Sequence, residues 1–335
     1  MEFKLESVLP AKEGGPNFVI VSPSSGVAPT LAWVALNPNV VPYLGSGSYA
    51  VRLQFAPAGQ SCAPPSPGQS PCAGTSVFLD LNPQPPPTVT SALSAASLQP
   101  AISPGEIVSI FGTHLSTPPI TPQYDSAGLY PTSLGTYTPV FGQMGNTTVM
   151  FNGIAAPLLY GSTGQINAQV PYEVAGQKTV NVVVTHNSGA SPPFPVAIAD
   201  TSPAIFTVTQ NGNGQGAILN AGPGFNTSTV NNVDNPAPKG SAISIYATGS
   251  GLWNRPVQSG SILLDTMTRP VAPVSVTIGG QPARVLYAGA APYLVSGELQ
   301  VNAIIPDGIG SGPQPLVLTI GQNSNTQQQV TVAVQ

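Results

Sequence analysis

The sequence predicts an all-β chain of three β-sandwich domains in tandem, on three observations. Short apolar runs are punctuated by proline and glycine, no helical periodicity of useful length appears, and one ordered set of blocks occurs twice.

Length and composition come first. The 335 residues suffice for two or three domains, each burying its own core. Proline (39) and glycine (36) make up roughly a fifth of the chain, a share that alone hints at disorder. Disorder needs low hydrophobicity and high net charge, however, and here 41% of residues are hydrophobic with a net charge of -4. Charged residues are 6% of the chain, against a usual share of about 25%. Eight lysines and arginines, scattered, form no stripe that could neutralise a phosphate backbone, which excludes nucleic acid and disfavours anionic membrane surfaces. No apolar run approaches the ~20 residues of a bilayer span, so membrane insertion is not expected. The opening stretch MEFKLESVLPAKEGG lacks the apolar core of a signal peptide. A secreted form would therefore correspond to a mature fragment or to the C-terminal part of a longer chain. Low charge also leaves little repulsion between copies, which permits self-association.

Residues 1–87 form the first expected domain. Its strand candidates are FVIVS (18–22), LAWVAL (31–36), YAVRLQF (49–55) and SVFLDL (76–81). In YAVRLQF, Tyr49, Val51, Leu53 and Phe55 fall on one face and Ala50, Arg52 and Gln54 on the other, the period of a half-buried strand. Trp33, inside LAWVAL, reads as core. Cys62 and Cys72 flank a Pro/Gly/Ser loop and are expected to form a disulfide, contributing roughly 3 kcal/mol and favouring an oxidising compartment. The competing reading is two free thiols; a zinc site lacks further ligands nearby. NPQPPPT (82–88) then serves as a stiff spacer.

Residues 88–200 and 201–335 are two copies of one pattern. PGEIVSIFGTHLS (104–116) matches KGSAISIYATGSGL (239–252), VMFNGIAAPLLY (149–160) matches VTIGGQPARVLY (276–287), and QINAQVP (165–171) matches QVNAIIP (300–306). TVNVVVT (179–185) with FPVAIA (194–199) matches PLVLTI (315–320) with VTVAV (330–334). Gly153 and Gly280 lie where a hairpin turn needs positive φ. Pro171 and Pro306 end their strands because proline cannot donate to the ladder. Asn167 and Asn302 recur as either ligand contacts or amides that satisfy a neighbouring loop's backbone, the second reading being preferred.

These blocks carry a resemblance. SPGEIVSIFG, TSPAIFTV, NGNGQGAILN, NPAPKGSAISIYATGSG, VSVTIGGQPARVLYAG and ELQVNAIIP are similar to the uncharacterised C-terminal domain family of large secreted acidobacterial (Solibacter-type) proteins, over about residues 95–335. Each copy also resembles IPT/TIG domains, which implies immunoglobulin-like sandwiches. VSPSSGVAPTLAWVALNP with GSGSYAVRLQF resembles the BACON-like immunoglobulin-fold modules, into which the Cys62–Cys72 loop looks like an insertion. The resemblance implies a secreted, cell-surface setting and modular architecture, and no activity.

A search for chemistry finds little. His114 reads as a turn residue and His186 as an exposed hairpin tip. The carboxylates are dispersed, with Glu106 and Glu298 in different copies and no evident partner for either, and no nucleophile elbow or calcium loop occurs. GNGQGA (212–217) is followed by a strand-like AILN, so it reads as a hairpin turn and not as a phosphate loop. No metal or cofactor is expected. Trp253, in the polar stretch SGLWNRPVQSG, is the candidate surface anchor; Tyr124, Tyr130 and Tyr137 lie in a long irregular insertion (117–146) and either bind a partner or cap the sandwich ends. The expected function is a non-enzymatic extracellular structural or adhesive module, a subunit of a homopolymeric filament in one version, with self-association or other surface proteins as partners. The alternative is a carbohydrate-binding module that takes a polysaccharide.

Overall fold

The computed structural model describes residues 2–10, 18–27, 33–37, 39, 48–57, 73–80, 85–116, 121, 127–131, 133–138, 142–186, 189–222, 228–325 and 329–335. Among them are many strands and no α-helix, so the chain is all-β. It divides into two compact units, Met1–Gln84 and Pro85–Gln335, and both sequence repeats fall inside the second.

In the first unit the strands are β1 (Glu2–Pro10), β2 (Val19–Ser22), β3 (Ser25–Val27), β4 (Trp33–Leu36), β5 (Ser48–Pro57) and β6 (Ala73–Asp80). Antiparallel pairing gives a sheet in the order β3-β1-β5-β6 and a separate ribbon of β2 with β4. Phe18, Val19, Leu53 and Ala56 are its buried apolar residues among those described. Trp33 corrects the sequence reading. It is 67% exposed, and Val34 and Leu36 beside it are exposed too. An apolar run suggests a core, but a two-stranded ribbon has no second layer of its own to cover both faces. Cys62 and Cys72 lie outside the described residues.

Repeat 1 of the second unit comprises β7 (Thr88–Ser94), β8 (Ile107–Thr113), β9 (Ser133–Thr138), β10 (Gly142–Phe151), β11 (Ile154–Ala155), β12 (Leu158–Gly161), β13 (Gln165–Gln169), β14 (Thr179–His186), β15 (Gly189–Ala190) and β16 (Phe194–Ala197). Its front sheet runs β12-β13-β8-β7, and its back sheet β11-β10-β14-β15 with β9 on β10 and β16 on β14. Alternation decides what lies between them. Val108, Ile110, Ile166 and Ala168 from the front meet Val149, Phe151, Val180, Val182 and Val184 from the back in one core.

Repeat 2 continues with β17 (Ala204–Ile205), β18 (Gly214–Gln215), β19 (Ile218–Ala221), β20 (Ser228–Val230), β21 (Ala242–Thr248), β22 (Ile262–Leu263), β23 (Val274–Ile278), β24 (Gln281–Ala283), β25 (Val285–Ala290), β26 (Leu294–Val295), β27 (Leu299–Ile304), β28 (Gly312–Ile320), β29 (Asn323–Ser324) and β30 (Val330–Val334). Its front sheet is β20-β19-β21-β27-β25 with β17 on β21, and its back sheet β18-β30-β28-β23-β24 with β29 on β28. A second core, from Ile243, Ile245, Val301 and Ala303 to Leu316, Leu318 and Val332, fills the space between.

The two copies share register as well as order. Asn167 lies opposite Ser109 across β13 and β8, and Asn302 opposite Ser244 across β27 and β21. One bulge recurs: the ladder shifts between Leu158 and Tyr160 in repeat 1 and between Val285 and Tyr287 in repeat 2. Leu159 and Leu286 are therefore equivalent bulged residues. Gly153 and Gly280, each in the tight turn that precedes a short return strand, have φ of +83° and +78°.

Candidate functional site: the seam and cleft between the repeats

Period-2 alternation puts Ser109, Phe111, Gln165, Asn167 and Gln169 on the outer face of the repeat 1 front sheet, a face that ordinarily meets water. Here repeat 2 packs against it. Tyr172, in the 3-10 turn after Pro171, projects from repeat 1 into the repeat 2 core.

A buried polar cluster fastens this seam. The Trp253 indole N–H donates to the Tyr172 hydroxyl at 2.6 Å, and that hydroxyl donates to the Ser296 carbonyl at 2.7 Å. The Gln169 amide donates to the Gly105 carbonyl at 3.1 Å and to the Ser296 hydroxyl at 3.0 Å, while its oxygen accepts from the Gly260 N–H. Thr248, fully buried, accepts from the Ile107 N–H at 2.9 Å and donates to the Gly297 carbonyl at 2.8 Å. Burial pushes the Tyr172 phenol up to about 12, so it stays a donor at any ordinary pH. The backbones approach closely. A Cβ on Gly297 would lie 2.4 Å from the Gly105 carbonyl, and one on Gly105 2.1 Å from the Tyr172 ring.

Trp253 is therefore no surface anchor: it is 5% exposed, and its polar sequence neighbours mislead because the ring fills the space between two sandwiches. His186 is a second correction. It is buried at the end of β14, with its Nδ1 2.8 Å from the Thr147 hydroxyl, and burial, aided by nearby His114, lowers its pKa. His114 itself sits half-buried in a turn at φ +56°. Of the three tyrosines, Tyr124 lies outside the described residues. Tyr137 stands opposite Gln143 in the β9–β10 ladder, and half-buried Tyr130 donates its N–H to the Gly260 carbonyl at the seam. The Thr209–Asn213 tip closes a hairpin, with the Val208 N–H on the Gln215 carbonyl.

Beside the cluster the seam opens into a cleft of 640 Å³. Repeat 1 lines it with Ile107, Ser109, Phe111, Leu159, Gln165 and Asn167 together with the 95–98 turn; repeat 2 supplies Phe206, Thr207, Gln210 and Glu298. The repeated asparagines do similar work on their own sheets. Asn167 Oδ1 accepts from the Ser109 hydroxyl at 3.1 Å and the Gln165 amide at 2.7 Å, and Asn302 Oδ1 accepts from the Gln300 amide at 2.9 Å. Asn167 faces a cleft.

Two carboxyls missed by any motif border this region. Burial without a compensating hydrogen bond pushes Glu298, in the cleft wall, up to about 7. Glu106 is wholly buried behind that wall. One oxygen accepts from the Ser103 N–H at 2.8 Å and hydroxyl at 3.1 Å, the other has no partner, and burial pushes the group up to about 8. Gln169 was equally invisible as a seam residue. Its one sequence signal is that an otherwise copied block reads QINAQ here and QVNAI in repeat 2.

An all-β protein with a locked pair of sandwiches and a cleft along their seam is the class these features define. No family model and no curated protein matches the chain. Among solved structures it is similar to the SGBP-B protein of the Bacteroides ovatus mixed-linkage glucan utilization locus, determined with a mixed-linkage heptasaccharide. The TM-score is 0.30 at 13% identity, over 87% of this chain and 54% of that one, so the chain spans about half its length. So distant a likeness says nothing about a ligand.

Proposed function

We propose that the chain is a non-enzymatic extracellular structural module that associates with further copies of itself at a cell surface. The observation that carries this reading is the repeat 2 face around Leu286. Repeat 1 uses its front sheet to receive a neighbouring sandwich; repeat 2 carries the same ladder of Ser244, Gln300 and Asn302 with the same bulge, and the residue at that bulge is Leu286. Leu286 at the bulge is 42% exposed, Met267 is 73% exposed, and Leu264, Val271, Leu252 and Tyr293 are exposed as well. The Val271 N–H bonds the Leu252 carbonyl, bringing two of these exposed residues together, and the others fall within the same 252–293 stretch. Clustered apolar groups of this kind mark interaction surfaces. A head-to-tail contact between unlike faces would extend into a chain or fibre instead of closing as a dimer.

Light scattering and negative-stain microscopy over rising concentration test the reading. Association is expected, weakened by Leu286→Glu combined with Met267→Glu. A chain that stays monomeric at the highest soluble concentration, or a charged variant that associates equally well, overturns it.

A further inference from the structure

The cleft along the seam is built from side chains whose own hydrogen bonding is incomplete. Asn167 uses its oxygen on Ser109 and Gln165, while its amide N–H groups take no protein acceptor among the described residues. Among the described residues the side-chain amide of Gln210 has no protein partner, and neither has the Glu298 carboxyl, although the backbone of each is bonded. These three groups converge on one cavity with Phe111 and Phe206. Gln210 is exposed and Asn167 and Glu298 are half-buried, so all three are open to a ligand that enters the cleft.

We propose that this cleft binds a short, uncharged oligosaccharide, its hydroxyls meeting Glu298, Asn167 and Gln210 and its apolar ring faces resting on Phe111 and Phe206. The chemistry selects this class. Among the described residues neither lysine nor arginine nor histidine lines the cleft, and an ionised Glu298 repels anions, so phosphates and acidic sugars are disfavoured. A purely apolar ligand would seal three polar groups away from water. Sugar hydroxyls both donate and accept, which suits a carboxylate beside two amides, and C–H-rich ring faces suit aromatic planes. The volume of 640 Å³ falls within the roughly 300–1,000 Å³ of small-molecule sites. This site is independent of the self-association reading, because it lies on the seam inside one chain and not on the Leu286 flank.

Titration calorimetry on the full chain tests it, with neutral glucan, xylan and mannan oligosaccharides as probes and a polygalacturonate and a chitosan fragment as charged controls. One neutral class is expected to bind with one site per chain. Glu298→Gln and Phe206→Ala should each weaken it by about tenfold or more, with little change in melting temperature. Affinity for the wild type should rise as pH is raised through about 7, because the ionised carboxyl is the better acceptor. The nearby titratable groups are Tyr246, held neutral here by burial and by Glu298, and Glu106 behind the wall. The Glu298→Gln variant isolates the effect, since only Glu298 is removed and the rise should vanish. Should Phe206→Ala fail to fold, Glu298→Gln and the pH series still decide. No neutral oligosaccharide bound at millimolar concentration, binding of the charged controls alone, or binding untouched by both substitutions each overturns the proposal.

Discussion

Repeat 1 and repeat 2 are built on one plan, yet they treat their front sheets differently. Both carry the Gln-x-Asn ladder, the facing serine and the same bulge. Where they diverge is instructive. Glu106 aligns with Ser241, Gln169 with Ile304 and Tyr172 with Asp307. Gln169, Tyr172 and the surroundings of Glu106 are where repeat 1 is buried by its neighbour; Asp307 is exposed. What the copies share makes a sandwich, and what they do not share makes the seam.

The strongest way to break this contrast is at Trp253. Trp253→Ala empties a buried ring and removes its hydrogen bond to the Tyr172 hydroxyl, and should cost about 3–5 kcal/mol, with the two repeats melting in separate calorimetric transitions. Trp33→Ala, at a position 67% exposed, should change stability by no more than about 0.5 kcal/mol. A single undisturbed transition in the Trp253 variant would show that the seam does not couple the repeats.

Glu106 offers a comparable effect through pH. Its carboxyl keeps its proton in the folded chain up to about 8, whereas the unfolded chain releases it near 4.5. The unfolded form therefore gains as pH rises, so stability should fall between about pH 4.5 and 8, by about 3–5 kcal/mol, and level off beyond. Denaturant melts across that range should show the decline in the wild type; Glu106→Gln should remove the part above about pH 7 and leave the smaller decline between about pH 4.5 and 7 that Glu298 contributes. Ser241 at the equivalent place in repeat 2 brings no such dependence.

Thr248 sharpens the comparison at smaller scale. Thr248→Val preserves shape but leaves the buried Ile107 N–H without its acceptor, for about 1–3 kcal/mol. Thr113 is its counterpart at the end of β8 and is exposed, so Thr113→Val should lie within about 0.5 kcal/mol of wild type in the same melts.

Much of the fold was legible because it rests on alternation and copying. The QINAQVP and QVNAIIP blocks give two strands, their inner faces and their proline ends from the residues alone. The seam was not, because docking reverses local signals. Trp253 sits among polar neighbours, which argues for a wet surface, and is buried by a surface over 80 residues away in sequence. Gln169 occupies an outward position by alternation, on a face that is not outward in the assembled pair. His186 looked like a loop residue because HNSG reads as a turn, whereas His186 is the last residue of β14 and is buried there. The cleft escaped for the same reason: Phe111 and Asn167 belong to one copy, Phe206 and Glu298 to the other, and no spacing rule links them.

Tyr172 carries a consequence for the order in which this molecule comes into being. The ring is made by repeat 1 but completes the hydrophobic interior of repeat 2. A chain emerging from its N-terminus can finish the first sandwich unaided, since every member of that core lies between Val89 and Ile198. The second sandwich must then close around a side chain already held out by the first, so the earlier repeat acts as a template for the later one during synthesis.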